Sequence, residues 1–185
     1  MAKVLLCSAS SRRRELLAKL VSSFDVTVSG TDEHSRYIRP HLRVMDLAKK
    51  KGETVSPRGR IVISSDTLVY CGGIYYGKPA DGKDAVRMLK ELSGRWHSVY
   101  TGVYVATDEE EILFYDRAEV LFRQLSDRDI ERYIEEYHPL DKAGAYGVQD
   151  GVVVKRCKGS FDTIMGLPTE KLGTILEKMG VKDVY

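Results

Sequence analysis

The chain has 185 residues and a formal net charge of +2, with 29 lysines and arginines against 27 aspartates and glutamates. This length fits one domain with a substantial core, and so small a net charge does not require nucleic acid as a partner. The three cysteines lie far apart and form no C-x-x-C pair, which argues against a disulfide framework and a zinc site. No apolar run is long enough for a signal peptide or a membrane span. We therefore expect one cytoplasmic domain over residues 1–185, with no nucleic-acid or membrane partner.

The chain begins with a short apolar run, a serine-rich turn and a helical pattern that opens with three arginines. Val4–Leu6 predicts a strand. Ser10 or Ser11 is a candidate N-cap for the helix, whose first turn contains Arg12–Arg14. A helix N-terminus carries partial positive charge and unpaired N–H groups, so arginines are unfavourable there unless an anion binds. The pattern resembles a phosphate site, but taken alone it favours solvated arginines with Glu15 as a partner.

Helix and strand patterns alternate along the rest of the chain. Apolar runs and apolar alternation predict strands at residues 24–28, 61–63, 74–76, 99–106, 112–122 and 152–154. Helical spacing of apolar residues predicts helices at about 41–51, after the N-caps Asp81 and Ser126, and after Thr169. Gly72-Gly73 predicts a tight hairpin turn. Because antiparallel hairpins join the alternating helices and strands, we expect an α/β fold with a mixed sheet.

Two carboxylates stand out because each follows a predicted strand. Asp66 comes shortly after the apolar run 61–63, where we expect the chain to leave the sheet and where open α/β sheets place their ligand sites. An aspartate there can bind Mg²⁺ or orient a water molecule as a general base. Glu33, in the loop after residues 24–28, is a second candidate ligand. Taken alone, Asp66 could equally be a structural turn residue, and Glu33 fits an ordinary loop residue better than a ligand.

Three lysines are candidate phosphate ligands. Lys51 lies at the end of a predicted helix, Lys78 lies between a glycine and a proline, and Lys142 lies in a polar, glycine-bearing stretch. A triphosphate needs several such charges around it, together with a divalent ion. Each lysine by itself could also be a surface residue.

Other residue patterns give no competing site. The sequence contains no Walker A loop and no dinucleotide fingerprint. The four histidines, His97 among them, fall at scattered polar positions and do not suggest a serine hydrolase triad. Tyr133 and Tyr137 lie on the apolar face of a predicted helix and indicate core packing rather than a base-stacking platform.

Taken together, these motifs resemble the Maf family of nucleoside triphosphate pyrophosphatases over nearly the whole chain. The markers are Ser8–Arg13, Asp32-Glu33, Leu47-Ala48 with Lys51, Ser65–Thr67, Gly77–Pro79, Ser93–Arg95 with His97, Thr101–Val103, Asp141–Gln149 and Gly166–Pro168. Two positions depart from the family pattern. Ser11 replaces a common proline, and Gly52 replaces an alanine and would end its helix slightly early.

The resemblance implies an activity and a fold. The expected reaction is hydrolysis of dTTP, UTP and modified pyrimidine nucleotides between the α and β phosphates, which releases the monophosphate and pyrophosphate. Such an enzyme would serve as a house-cleaning activity on the nucleotide pool, with Mg²⁺ or Mn²⁺ as cofactor. The expected fold is a mixed twisted sheet flanked by helices, with two lobes, a central cleft and a likeness to inosine triphosphatase. A homodimer is also expected.

The resemblance further assigns roles to the candidate residues. Asp66 would be the general base and would share the metal ion with Glu33, while Lys51 would stabilise the leaving pyrophosphate. The expected phosphate ligands are Ser8, Ser10, Arg12, Arg13, Lys78 and Lys142.

The choice of base is expected to depend on Arg12, Thr67 and Gln149. A related branch that prefers 7-methyl-GTP carries glutamine after the aspartate and glutamate at the position of Gln149, so Thr67 and Gln149 favour a pyrimidine nucleotide. Two alternatives stay open: a 7-methyl-GTP pyrophosphatase, and a nucleotide-binding regulator of cell division or septum formation.

Overall fold

Helices and strands alternate along the chain, and the strands join in one sheet. The computed structural model describes residues 3–28, 30 and 34–181. The strands are β1 (Lys3–Cys7), β2 (Phe24–Thr27), β3 (Arg60–Cys71), β4 (Ile74–Tyr76), β5 (Trp96–Ala106), β6 (Glu111–Phe122) and β7 (Val154–Lys158). The helices are α1 (Ser11–Ala18), α2 (Pro40–Gly52), α3 (Gly82–Leu92), α4 (Asp127–Tyr137), α5 (Phe161–Met165) and α6 (Thr169–Lys178). Within the described residues, no helix combines the length and the apolar character needed to cross a bilayer.

The sheet has seven strands in the order β2-β1-β3-β5-β6-β7, with β4 paired to β3. Within β1, Leu6 lies opposite Val26 of β2 and Ile63 of β3, and both pairings are parallel. The β3–β4 and β6–β7 pairings are antiparallel. Gly72 and Gly73 connect β3 to β4 with φ angles of 57° and 89°, which suit a two-residue hairpin turn. The predicted mixed sheet and the hairpin are therefore confirmed.

Local side-chain caps set the start of three helices. The Ser10 hydroxyl accepts a hydrogen bond from a backbone N–H in the first turn of α1. The Asp81 carboxylate accepts from the N–H of Asp84 at 2.8 Å, and Ser126 forms a reciprocal capping box with Asp129. These caps satisfy N–H groups that have no partner inside the helix. The predicted N-caps of α1, α3 and α4 are thus confirmed, with Ser10 rather than Ser11 as the first of them.

The chain divides into two compact units. The first comprises residues 1–66, 101–116 and 166–185, and the second comprises residues 67–100 and 117–165. The divisions fall within β3, β5 and β6, so each of these strands contributes residues to both units. The single domain and the cleft expected from the resemblance stay predictions.

The core of the second unit contains a buried histidine: His97 is 3% exposed, and its ring packs edge-on against that of Phe122 with the ring centroids 4.8 Å apart. Its Nε2 atom lies 2.9 Å from the hydroxyl oxygen of Tyr146. Burial lowers the pKa of His97 to about 4, because desolvation disfavours the imidazolium ion. The polar position expected for this histidine was wrong, and its neutral ring has a structural place in the core.

Candidate active site

The centre of the candidate site is an ion pair between Lys51 and Asp66. The Lys51 ammonium nitrogen lies 2.5 Å from Oδ1 of Asp66, and the two side chains are only 14% and 12% exposed. By comparison, the side chains of the Lys49–Glu111 pair are 38% and 49% exposed. A carboxylate that is largely removed from water interacts more strongly with nearby charges than one at the surface. The structure therefore brings together two of the residues predicted for catalysis.

Asp66 was expected to follow a strand at residues 61–63, but it lies in the middle of β3. The polar residues before it are tolerated inside a buried strand because each has a hydrogen-bond partner. Ser64 donates to the carbonyl of Ala48 in α2 at 2.6 Å, and Ser65 donates to the carbonyl of Gly166 at 3.0 Å. The predicted end of the strand before Asp66 was thus wrong. The strand continues because Ser64 and Ser65 form hydrogen bonds with residues that are distant in sequence.

Lys51 reaches Asp66 because α2 packs closely on the sheet next to it. Gly52 is buried, and it lies against the ring of Tyr104 and the hydroxyl of Ser64. A β-carbon at residue 52 would overlap the Tyr104 ring. The helix was expected to run into Lys51 and to break at Gly52, and Gly52 is in fact the last residue of α2. The departure from the family pattern at this position leaves the reach of Lys51 intact.

We expect Gly52→Ala to lower the free energy of unfolding by about 1–3 kcal/mol, because the added methyl group forces a shift in a packed region. It should also lower kcat, since α2 would carry Lys51 away from Asp66. Chemical denaturation and steady-state kinetics measure the two effects. Gly82→Ala is the matched control: a β-carbon there meets no atom within 4 Å, so stability and kcat should be retained. Wild-type stability and turnover in Gly52→Ala would contradict this account of the packing.

The N-terminus of α1 forms a second part of the site. Its first turn contains no acidic residue, and Arg12 and Arg13 are half-buried whereas Arg14 is exposed. Ser8 is buried, and its hydroxyl oxygen accepts hydrogen bonds from the Ser10 N–H at 3.2 Å and from the Arg13 guanidinium at 3.4 Å. The three arginines are therefore not equivalent, and the serine-rich turn is held by its own hydroxyl groups.

Gly166 connects this helix N-terminus to the strand that carries Asp66. Its carbonyl oxygen accepts a hydrogen bond from Nε of Arg13 at 3.0 Å and another from the hydroxyl of Ser65 at 3.0 Å. Ser65 immediately precedes Asp66, so the contacts run from α1 through Gly166 to the ion pair. Gly166 and Ser65 are markers of the family resemblance, but no role could be predicted for either from the sequence, because partners so far apart in the chain leave no local signal.

The remaining candidates lie in the second unit or outside the described residues. Thr67 is half-buried in β3, while Lys78 and Gln149 are exposed. Lys142 has a side chain only 12% exposed, and it pairs with the carboxylate of its neighbour Asp141 at 3.0 Å. The 141–149 stretch approaches the Lys78 turn, since the N–H of Gly144 donates to the carbonyl of Gly77 at 2.9 Å. Glu33 lies outside the described residues, so its predicted role stays a prediction.

The carboxylate of Asp66 is a suitable ligand for a hard divalent ion, because such ions prefer oxygen ligands. Across residues 3–28, 30 and 34–181, no three His, Cys, Asp or Glu side chains come together as a metal-binding group. A magnesium ion that also binds substrate phosphates needs only one or two protein carboxylates, however, and Asp66 can supply one of them. The donor set therefore fits a metal that arrives with its nucleotide.

Comparisons with known proteins place this arrangement in a family. The model of the Maf-like protein family matches residues 3–179. A dTTP/UTP pyrophosphatase of Aquifex aeolicus (strain VF5) is 43% identical, over 97% of this chain and 96% of its own length. One from Thermosipho africanus (strain TCF52B) is 40% identical, over 98% of this chain and 95% of its own.

Solved structures agree on the fold. The Ham1 protein of Staphylococcus aureus matches with a TM-score of 0.55 and 13% identity, covering 96% of this chain and 99% of that one. A HAM1 protein from Coxiella burnetii matches with a TM-score of 0.51 and 15% identity, covering 96% and 100%. At these identities the likeness concerns the fold alone, and it confirms the inosine-triphosphatase-like architecture. With the family match over residues 3–179 and relatives of about this length, the chain belongs to the Maf family.

Proposed function

We propose that this protein hydrolyses dTTP and UTP between the α and β phosphates, giving the nucleoside monophosphate and pyrophosphate. The relatives named dTTP/UTP pyrophosphatase, at 38–43% identity over nearly the whole chain, support this substrate class. The observation that carries the proposal is the largely buried Lys51–Asp66 pair, connected through Gly166 to the arginine-bearing start of α1. Its role would be house-cleaning of the cytoplasmic nucleotide pool. The homodimer implied by the resemblance is part of the proposal, and the molar mass in solution tests it.

Asp66 is the proposed general base. The oxygen of a water molecule attacks the α phosphorus, and the proton of that water passes to a carboxylate oxygen of Asp66. The bond from the α phosphorus to the leaving pyrophosphate then breaks. In the structure that carboxylate is paired with Lys51. Phosphate oxygens compete for the same ammonium group, so substrate binding draws Lys51 toward the leaving group and releases a carboxylate oxygen for the water molecule. Asp66 would thereby act as the base, while its former partner Lys51 stabilises the leaving group.

The cofactor in this proposal is Mg²⁺ or Mn²⁺, held by Asp66 and Glu33. Such an ion supplies neutralisation of the charge on the phosphates. The protein's own residues supply the other positive charges and donors, which are proposed to be Ser8, Ser10, Arg12, Arg13, Lys78 and Lys142. Among them Arg12 suits bidentate contact with phosphate, because a guanidinium group presents paired N–H donors in a plane. Arg13 already donates to Ser8 and Gly166, so it would also hold the shape of the site.

Thr67 and Gln149 are proposed to select the base, together with Arg12. The amide group of glutamine can accept a hydrogen bond from the N3–H of thymine or uracil and donate one to a ring carbonyl. A site built on such hydrogen bonds discriminates against a base that leaves them unpaired. The exposed position of Gln149 leaves its amide accessible to a ligand.

Pyrophosphate release from a nucleotide panel tests the proposal. The panel contains dTTP, UTP, CTP, GTP, ITP and 7-methyl-GTP, each with and without Mg²⁺ or Mn²⁺. We expect metal-dependent release confined to dTTP and UTP. A preference for 7-methyl-GTP would keep the chemistry but overturn the roles of Thr67 and Gln149. Absence of turnover with every nucleotide would contradict the enzyme and favour the nucleotide-binding regulator.

A further inference from the structure

We propose that Tyr133 is a positioning residue for nucleotide selection, because its hydroxyl group connects the backbone before Gln149 to the Asp150 side chain after it. This inference rests on the proposed function, in which Gln149 contacts the base. Tyr133 lies in α4, and Gln149 lies in a short 3₁₀ turn formed by Val148–Asp150.

The Tyr133 hydroxyl makes two hydrogen bonds that bracket Gln149. It accepts one from the backbone N–H of Gly147 at 2.9 Å, and it donates one to Oδ2 of Asp150 at 2.5 Å. Gly147 precedes the 3₁₀ turn and Asp150 ends it, so one oxygen atom connects the two ends of the turn. Gln149 therefore lies in a turn whose two ends are both hydrogen-bonded to one hydroxyl group, at the Gly147 backbone and at the Asp150 side chain.

Tyr133 is itself held firmly. Its side chain is 1% exposed, and its ring stacks on Tyr137 with the ring centroids 5.0 Å apart. The helix that carries both residues starts at a reciprocal capping box. Burial raises the pKa of the Tyr133 hydroxyl, so this group stays protonated and keeps its proton for Asp150. Because the buried Tyr133 hydroxyl is held on a packed helix, movement of the 148–150 turn would break its hydrogen bonds, which costs free energy.

Gly147 allows the Gln149 side chain to lie close to the bridge. A β-carbon at residue 147 would come within 2.7 Å of Nε2 of Gln149 and 2.6 Å of Oδ2 of Asp150. Both side chains therefore occupy space that any larger residue at this position would need. The amide nitrogen of Gln149 thus lies against the same short segment that the Tyr133 hydroxyl fixes.

A fixed position matters for selectivity because a glutamine amide can rotate by half a turn. In one orientation it matches the donor and acceptor pattern of thymine and uracil, and in the other it matches the inverted pattern of cytosine. A glutamine on a loosely held turn could serve both bases. The Tyr133 bridge acts on the turn rather than on the amide itself: it limits the positions from which the amide can reach a base, so we expect it to contribute to discrimination between dTTP and CTP.

The test compares kcat/KM for dTTP with kcat/KM for CTP in wild type, Tyr133→Phe, Gln149→Ala and the double variant. Tyr133→Phe removes the hydroxyl and keeps the ring. Tyr137→Phe is the matched control, since it removes a hydroxyl from the ring stacked on Tyr133. We expect Tyr133→Phe to lower the dTTP/CTP ratio by roughly three- to tenfold, the effect of one lost hydrogen bond. Tyr137→Phe should keep the ratio, and the double variant should be no less selective than Gln149→Ala alone.

Amide hydrogen exchange at Gly147 gives a second readout that does not depend on activity. Its N–H should lose protection in Tyr133→Phe and keep it in Tyr137→Phe. If Gln149→Ala lowers the ratio and Tyr133→Phe does not, the positioning role is wrong while the proposed function stands. If Gln149→Ala also leaves the ratio unchanged, the assignment of Gln149 fails and the inference falls with it. Unchanged protection of Gly147 in Tyr133→Phe would overturn the bridge itself.

Discussion

Replacing Asp66 with asparagine is expected to lower kcat for dTTP by at least about a hundredfold, the usual contribution of a general base. Asparagine keeps the size of the side chain but cannot accept a proton from water at neutral pH. It also removes the charge that pairs with Lys51 and that a divalent ion would bind. Steady-state release of pyrophosphate at saturating dTTP and metal measures the effect.

Asp116→Asn is the matched control for this experiment. Asp116 also pairs with a lysine at 2.5 Å, but its partner Lys171 is 54% exposed, and neither residue is a candidate for catalysis. The Asp116 side chain is 19% exposed. We expect this variant to keep kcat within a small factor of wild type, because this pair is not part of the candidate site. Near-normal turnover by Asp66→Asn would show that another group activates the water molecule.

Replacing Lys51 with methionine is expected to lower kcat/KM for dTTP by about a hundredfold or more, the effect of losing one strong contact to developing negative charge. Methionine keeps much of the length and apolar volume of the lysine stem while removing its charge. The variant should also lose about 1.5–3 kcal/mol of unfolding free energy, because Asp66 then lacks its hydrogen-bond partner in a site that is largely removed from water. Kinetics and chemical denaturation measure the two effects separately.

Lys50→Met provides the control, because it changes the adjacent residue of the same helix. Lys50 is 42% exposed and pairs with Asp46 one turn earlier, so its loss should leave both kcat/KM and stability close to wild type. Lys51→Arg adds a test of geometry, since the guanidinium group keeps the charge but not the compact ammonium. Full activity in Lys51→Met would rule out the proposed role at the leaving pyrophosphate.

The elements that could be predicted from the sequence are those whose signals are local. Helix α3 begins after Asp81 as expected, because a cap and the helical spacing behind it lie within one short segment. The same holds for α4 after Ser126 and for the hairpin at Gly72-Gly73. Each of these depends on residues within a few positions of one another.

The misplaced features depend on partners distant in sequence. The strand β3 continues through Asp66 because Ser65 finds an acceptor in Gly166, one hundred and one positions further along the chain. His97 is buried because Phe122 and Tyr146 surround it in the folded core. Neither contact leaves a periodic pattern, so the polar residues suggested loop or surface where the structure has buried side chains.

The candidate site shows the same contrast. Asp66 and Lys51 were predicted as functional residues, but only the fold shows that they form one ion pair. Tyr133 was correctly predicted as part of the core, but the hydrogen bonds of its hydroxyl group with Gly147 and Asp150 are visible only in the tertiary structure. A tyrosine on an apolar helix face carries no sign of where its hydroxyl points.

The identity of the products tests the central claim most directly. Phosphorus NMR of a reaction with dTTP and Mg²⁺ distinguishes cleavage between the α and β phosphates from cleavage between β and γ. We predict dTMP and pyrophosphate in equal amounts, without dTDP and without an initial release of orthophosphate. Formation of dTDP and orthophosphate, or no reaction while dTTP binds, would contradict a nucleoside triphosphate pyrophosphatase.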